Sequence, residues 1–122
     1  MITLDPAASA RDAVAAQPTR PATRMLLDTA DARVVVFRIA PGQAVPPHRS
    51  DASVLLLVLE GSGVVSGGDG ERVAGTGDLL AFEPGEMHGM RAEAEPFHLL
   101  AVIAPRPGSR AAASSATSGE AH

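Results

Sequence analysis

Short apolar runs, each closed by turn residues, fill residues 25–104, and the chain on either side has none of them. The first run, 25–27, is brief, and DTADA at 28–32 reads as a turn. RVVVFRIA at 33–40 is rich in β-branched residues and predicts a full strand, which Pro41-Gly42 ends. Pro46-Pro47 then holds the approach to His48 extended, because a residue before proline is pushed out of the helical region. SVLLLVL at 53–59 is continuously apolar and stops at Glu60-Gly61, as expected of a strand buried on both faces. Val64-Val65, a turn at 67–70 and a polar strand at 71–74 predict a hairpin. LLAF at 79–82, a strand at 88–92 and a last strand at 97–104 complete the pattern, the latter two separated by a polar turn at 93–96. Runs of this length and frequency predict an all-β sandwich or barrel.

The flanks read differently. Residues 1–24 are rich in Ala, Pro, Thr and Arg and have little to bury; Asp5 caps an expected helix over 6–16, with Pro6 at its first position, and Pro18 and Pro21 stop it. The expected organisation is a flexible N-terminal arm at 1–24, a barrel at 25–105 and a disordered, Ser/Ala/Gly-rich tail at 106–122.

Composition narrows the chemistry. A chain of 122 residues has room for one domain, and 45% hydrophobic residues suffice for a core. Three phenylalanines are the whole aromatic inventory, so the core must be aliphatic and offers no Trp or Tyr platform for stacking bases or sugars. The net charge of −4 argues against nucleic acid as a partner. Absence of cysteine excludes disulfides, thiolate metal sites and Cys nucleophiles. No run approaches the roughly 18 apolar residues of a membrane span, and the N-terminus lacks the basic start and apolar stretch of a signal peptide. The expectation is a soluble cytoplasmic protein without membrane partners.

Candidate chemistry lies between residues 42 and 88. Gly42 is followed by QAVPP and His48, then Ser50, Val54 and Gly61; Gly77 is followed by DLLAF, then Glu83, Pro84, Gly85 and His88, with Ala92 beyond. These two blocks resemble the paired motifs of the cupin family, small antiparallel β-barrels or jelly rolls with a metal site in the barrel mouth. In the resemblance, His48 and His88 fall on ligand positions. Ser50 stands where a second histidine is usual, Val54 where a glutamate is usual, Glu83 in place of a proline and Ala92 in place of an asparagine. Glycine spacing is kept while half of the ligand set is gone.

Positions 48, 50 and 54 share parity, so along a strand they face one side of the sheet. The same parity makes Val54, Leu56 and Val58 barrel-facing and turns Leu55, Leu57 and Leu59 outward. An exposed leucine stripe is a poor state for a monomer, so a homodimer is expected. The pocket is expected to be lined by His48, Ser50, Val54, Leu56, His88 and His98. His48, His88 and His98 are the candidate metal ligands for Fe, Mn, Ni or Zn, although a serine hydroxyl and a valine leave the set short of the three protein ligands a metal centre needs. Asp51, Glu83 and Glu86 are further carboxylates near the motifs; Arg38 and Arg49 are candidates to hold an anion at the mouth. The first expectation is therefore a protein that binds a small molecule in an aliphatic cavity, with a weak metal site or none. The alternatives are a metal-dependent oxygenase or isomerase using His48, His88 and His98, and a metal-free epimerase with a histidine base.

Overall fold

Asp5 accepts the Ala8 amide proton at 3.1 Å and Pro6 sits in the first turn, so the computed structural model, which describes residues 1–107, opens with helix α1 (Pro6–Asp12). The helix is shorter than the expected 6–16. Ala10 and Ala13 are buried against the sheet, and the extended backbone at Ala13 aims its carbonyl at Arg38 Nη2, 2.6 Å away. Eight antiparallel strands follow: β1 (Ala22–Asp28), β2 (Arg33–Ile39), β3 (Ala44–His48), β4 (Ser53–Gly67), β5 (Gly70–Gly75), β6 (Leu79–Phe82), β7 (His88–Arg91) and β8 (Phe97–Ala104). Among the described residues no helix is long and apolar enough to cross a membrane. The tail expected at 106–122 lies outside the described residues except for Arg106 and Pro107.

The strands form one curled sheet with two faces closing on each other, an antiparallel half-barrel as the sequence pattern implies. One side runs β1-β2-β8-β4-β6 and the other β3-β7-β4-β5. Strand β4 belongs to both. Its first half pairs with β8 and β6, its second half with β7 and β5. Glu60-Gly61, read from sequence as the end of a strand, is instead a corner inside one. The register slips by a residue between Val58 and Glu60, and Gly61 takes φ +78°. A Cβ there would lie 1.9 Å from the Pro96 carbonyl oxygen, so the β7–β8 turn packs directly against the corner.

Two further boundaries differ from expectation. β1 begins at Ala22 because main-chain pairing with β2, Ala22 opposite Arg38, does not need the apolar side chains that Thr23 and Arg24 lack. β3 is a strand despite Pro46 and Pro47. It is the outermost strand of its sheet, and its register with β7 jumps from Val45 to His48, so the missing amide protons fall where no ladder bond is needed. The inward-facing residues of both sides meet in a core that includes Ile39, Leu56, Val58, Phe82, Phe97 and Leu99.

The turn between β6 and β7 is pinned from outside. Gly68 N–H donates to Glu86 Oε2 at 2.9 Å and Glu83 N–H to Glu86 Oε1 at 3.0 Å, tying this turn to the β4–β5 hairpin. The Gly68 amide, and then that of Glu83, holds the Glu86 carboxyl below its ordinary value of 4.5.

Gly42 has φ +85° with open space around an added Cβ, whereas Gly61 has both a positive φ and a backbone clash. Gly42→Ala should cost about 1–2 kcal/mol, the left-handed penalty alone. Gly61→Ala should cost at least twice that, read as the shift in urea midpoint; equal losses would mean that the corner is not closely packed. For Glu86, a folded-state pKa below the unfolded one gives stability that is present above the unfolded value and lost as the pH falls through the folded one. Glu86→Gln keeps one acceptor and replaces the other by a donor, as protonation does. The variant should be less stable than wild type at neutral pH, and the gap should close as the pH drops below about 4.5. A gap independent of pH would remove the role given to the carboxylate.

Candidate functional site

Register across the larger side sets out the inner wall row by row. Arg33 pairs with Ile103, which pairs with Val54, which pairs with Phe82; Val35, Ala101, Leu56 and Leu80 form the next row. Residues of one row on adjacent strands face the same way. β3 and β7 close the opposite side, with His48 directly across from His88. Between the walls lies a cavity of about 190 Å³ lined by Met25, Arg33, Val35, Phe37, His48, Ser50, Val54, Leu56, His88, Met90, Ala101, Ile103 and Pro107. Val54, Leu56 and Ala101 are almost fully buried, whereas His48 and Met25 are exposed and mark the mouth.

The two histidines share the polar lining of this cavity with Arg33 and Ser50. Their ring centroids are 4.4 Å apart at 59°, and the His88 ring is also stacked on Phe82 at 4.8 Å and 24°. His88 is buried at 4% exposure between them. Each ring is oriented by its own chain: His48 Nδ1 lies 3.0 Å from the Pro46 carbonyl oxygen and His88 Nδ1 3.0 Å from that of Glu86. A carbonyl only accepts, so each Nδ1 carries the proton and the lone pair of the neutral ring sits on Nε2. Ser50 is a link as much as a lining residue. Its Oγ accepts from Ala52 N–H at 3.1 Å, and its carbonyl accepts from Gly85 N–H at 2.7 Å. Arg49 reinforces the same joint by donating to the Gly85 carbonyl at 3.0 Å.

Five of the six expected pocket residues, His48, Ser50, Val54, Leu56 and His88, thus line one cavity. His98 does not. On β8 the inward set is Phe97, Leu99, Ala101 and Ile103, and alternation sends His98 to the opposite face. There it lies between Arg38 and Glu60 in the register and lines a separate cleft of about 420 Å³ beneath α1. Its Nδ1 is 3.4 Å from Glu60 Oε1, outside hydrogen-bond geometry, and this buried atom has no hydrogen-bond partner among the described residues. Arg11, bonded to the same oxygen at 2.9 Å, is the main reason the Glu60 carboxyl is held below its ordinary value. The expectation of His98 as a third ligand is corrected by this parity, which the apolar character of both faces of β8 conceals in sequence.

The other candidates also lie elsewhere. Arg38 is in the cleft beneath α1, so it is not at the histidine mouth, and neither Arg49 nor Asp51 lines the cavity. Glu86 lines a separate cleft of about 470 Å³ between β5 and β6. Among the described residues no three His, Cys, Asp or Glu side chains gather as a metal-ligand group. A two-imidazole donor set does not fit a tightly held catalytic metal, which needs about three protein ligands. Sequence reasoning missed Arg33 and Phe82. The signal for Arg33 was present, since it shares parity with Val35 and Phe37.

Comparison with known proteins agrees with this architecture. The structure is similar to TT1209 from Thermus thermophilus, with a TM-score of 0.73 and 29% identity over 80% of this chain and 94% of that one. It is equally similar, at 0.73 and 29%, to a conserved protein with a double-stranded β-helix domain from Klebsiella pneumoniae, covering 80% of this chain and 88% of that one. KdgF from Halomonas shares the fold at a TM-score of 0.70 and 21% identity, over 78% and 86% of the two chains. A search of curated proteins finds no match. The family model described as the cupin domain matches residues 35–103, more than half of the chain, and the protein therefore belongs to the cupin family.

Proposed function

We propose that the protein binds a small organic molecule in the cavity between β2, β8 and β4 on one side and His48 and His88 on the other, without a tightly held resident metal. The observation that carries this reading is the combination of an aliphatic inner wall with two imidazoles whose Nδ1 atoms are fixed on backbone carbonyls. Apolar walls supply affinity, and a few placed polar groups supply orientation. Val54 supports it further, because an isopropyl group standing where the family pattern has a carboxylate extends the apolar wall instead of binding a cation.

The same tautomer gives a second reading. An Nε2 lone pair on buried His88 is suited to take a proton from a bound substrate, as in a metal-free isomerase. It ranks second because the ring is oriented by a neutral carbonyl, which does not stabilise an imidazolium as a carboxylate does.

Benzamide, a flat apolar molecule with an amide donor, is a suitable probe. It should perturb the ring signals of both histidines in NMR titrations. Ala101→Leu, which fills the cavity from its wall, should abolish binding, and His88→Ala should weaken it about tenfold or less, the worth of one hydrogen bond. Binding unaffected by Ala101→Leu would overturn the cavity assignment. Near-stoichiometric Fe, Mn, Ni or Zn in untagged protein purified without chelator, lost in His48→Ala and His88→Ala, would overturn the metal-free part.

We further propose that the outward leucine stripe of β4 is an interface between two copies. Val54, Leu56 and Val58 are buried and face inward, while Leu55 remains 40% exposed with Leu57 and Leu59 half-buried beside it. Sedimentation at micromolar concentration should show a dimer that Leu55→Glu dissociates; a wild-type monomer would refute the interface.

A further inference from the structure

Arg33 occupies a position where an arginine is out of character. Its row on the inner wall continues through Ile103, Val54 and Phe82, all apolar. It is not on an outer strand, where an inward charge serves to discourage edge pairing, because β1 covers β2 on that side. The side chain is 23% exposed and lines the same cavity as His48 and His88; it is the only arginine to do so among the described residues.

Among the described residues its charge is incompletely answered. The nearest carboxylate, Asp28, is engaged on both oxygens by Arg106, through Nε to Oδ1 and through Nη2 to Oδ2 at 3.1 Å. Arg33 reaches Asp28 only through Nε, at a long 3.4 Å. The hydrogen bond to Arg106 is the main reason the Asp28 carboxyl lies below its ordinary value, so it stays ionised and committed to that partner. Two guanidiniums and one carboxylate leave about one positive charge at the edge of the cavity. The planar Nη edge of Arg33 makes no hydrogen bond to any described residue and is still reached by solvent, so its donors are open to a ligand at the cavity.

We infer that the cavity takes a small organic monoanion, a carboxylate on an apolar body, with Arg33 as its anchor. A carboxylate matches the planar fork of a guanidinium in a way a lone point charge does not. Ser50 is placed to help, since its Oγ accepts from Ala52 and its own proton is left to donate. The body of the ligand then lies along Val35, Val54, Leu56 and Ala101, toward the imidazoles. This rests on the reading of the cavity as a binding site, and the two are separable by experiment.

Benzoate and benzamide have nearly the same shape and differ in charge, so calorimetric titration of both against the full chain isolates the anion. Wild type should bind benzoate about tenfold or more tightly than benzamide, in line with a charge-assisted pair. Arg33→Gln should erase that preference, lowering benzoate affinity about tenfold or more and benzamide affinity by a smaller factor, and Arg33→Lys should keep part of it. Arg106→Gln, which releases Asp28 toward Arg33, should weaken benzoate binding without abolishing it. Thermal unfolding of each variant separates loss of binding from loss of fold, and if Arg33→Gln unfolds, the Lys and Arg106 variants still decide. A benzoate preference retained in Arg33→Gln, or benzamide binding as tight as benzoate in wild type, overturns the anchor and leaves the cavity standing. Failure of both probes at millimolar concentration overturns the anchor and the cavity reading together.

Discussion

The structure depends on one strand turning a corner. β4 pairs with β8 and β6 before Glu60-Gly61 and with β7 and β5 after it, so both halves of the barrel are fastened to a single chain segment. The turn is feasible because Gly61 adopts a positive φ and admits the Pro96 carbonyl where any side chain would stand. Everything at the site follows from where this corner falls. Upstream of it, Val54 and Leu56 face inward on the wall. Downstream, β4 carries β7, which carries His88, which is opposite His48. A shift of one residue in the corner would exchange inner and outer faces on one half of the barrel.

How much of this was legible in the sequence varied with the physics involved. The barrel class was, because strands of 4–8 apolar residues between turn signals admit few other arrangements. The inward set Val54, Leu56 and Val58 was, because the spacing of the two motifs fixed the parity. The continuity of β4 was not. Glycine after glutamate looks the same whether it ends a strand or bends one, and only the packing of Pro96 against it decides. β3 was hidden by its prolines, which argue against a strand everywhere except at an edge. His98 was ambiguous for a simpler reason: Leu99 and Leu100 are both apolar, so β8 gives no contrast between faces.

The helix at the N-terminus shows the same limit. Asp5-Pro6 announced its start, but its end depended on Arg38, a residue of β2 that reaches across to the Ala13 carbonyl. Long-range closure of this kind leaves no local pattern. It also explains why His98, Glu60 and Arg11 meet on the outer face, where the helix rests, and form no part of the histidine cavity.

Val54 and Arg33 take on meaning together. They belong to one row of the inner wall, separated only by Ile103, at a spacing of about 10 Å for two strands. A carboxylate at position 54, where the family pattern has one, would point into the same small cavity as the Arg33 guanidinium and bring its charge near neutrality. A valine there withdraws the negative charge and leaves the positive one. On the proposed reading, the missing cation ligand at Val54 and the anion anchor at Arg33 are one electrostatic feature seen from two sides. The halved ligand set that weakens the case for a metal is the same feature that strengthens the case for a carboxylate-bearing ligand.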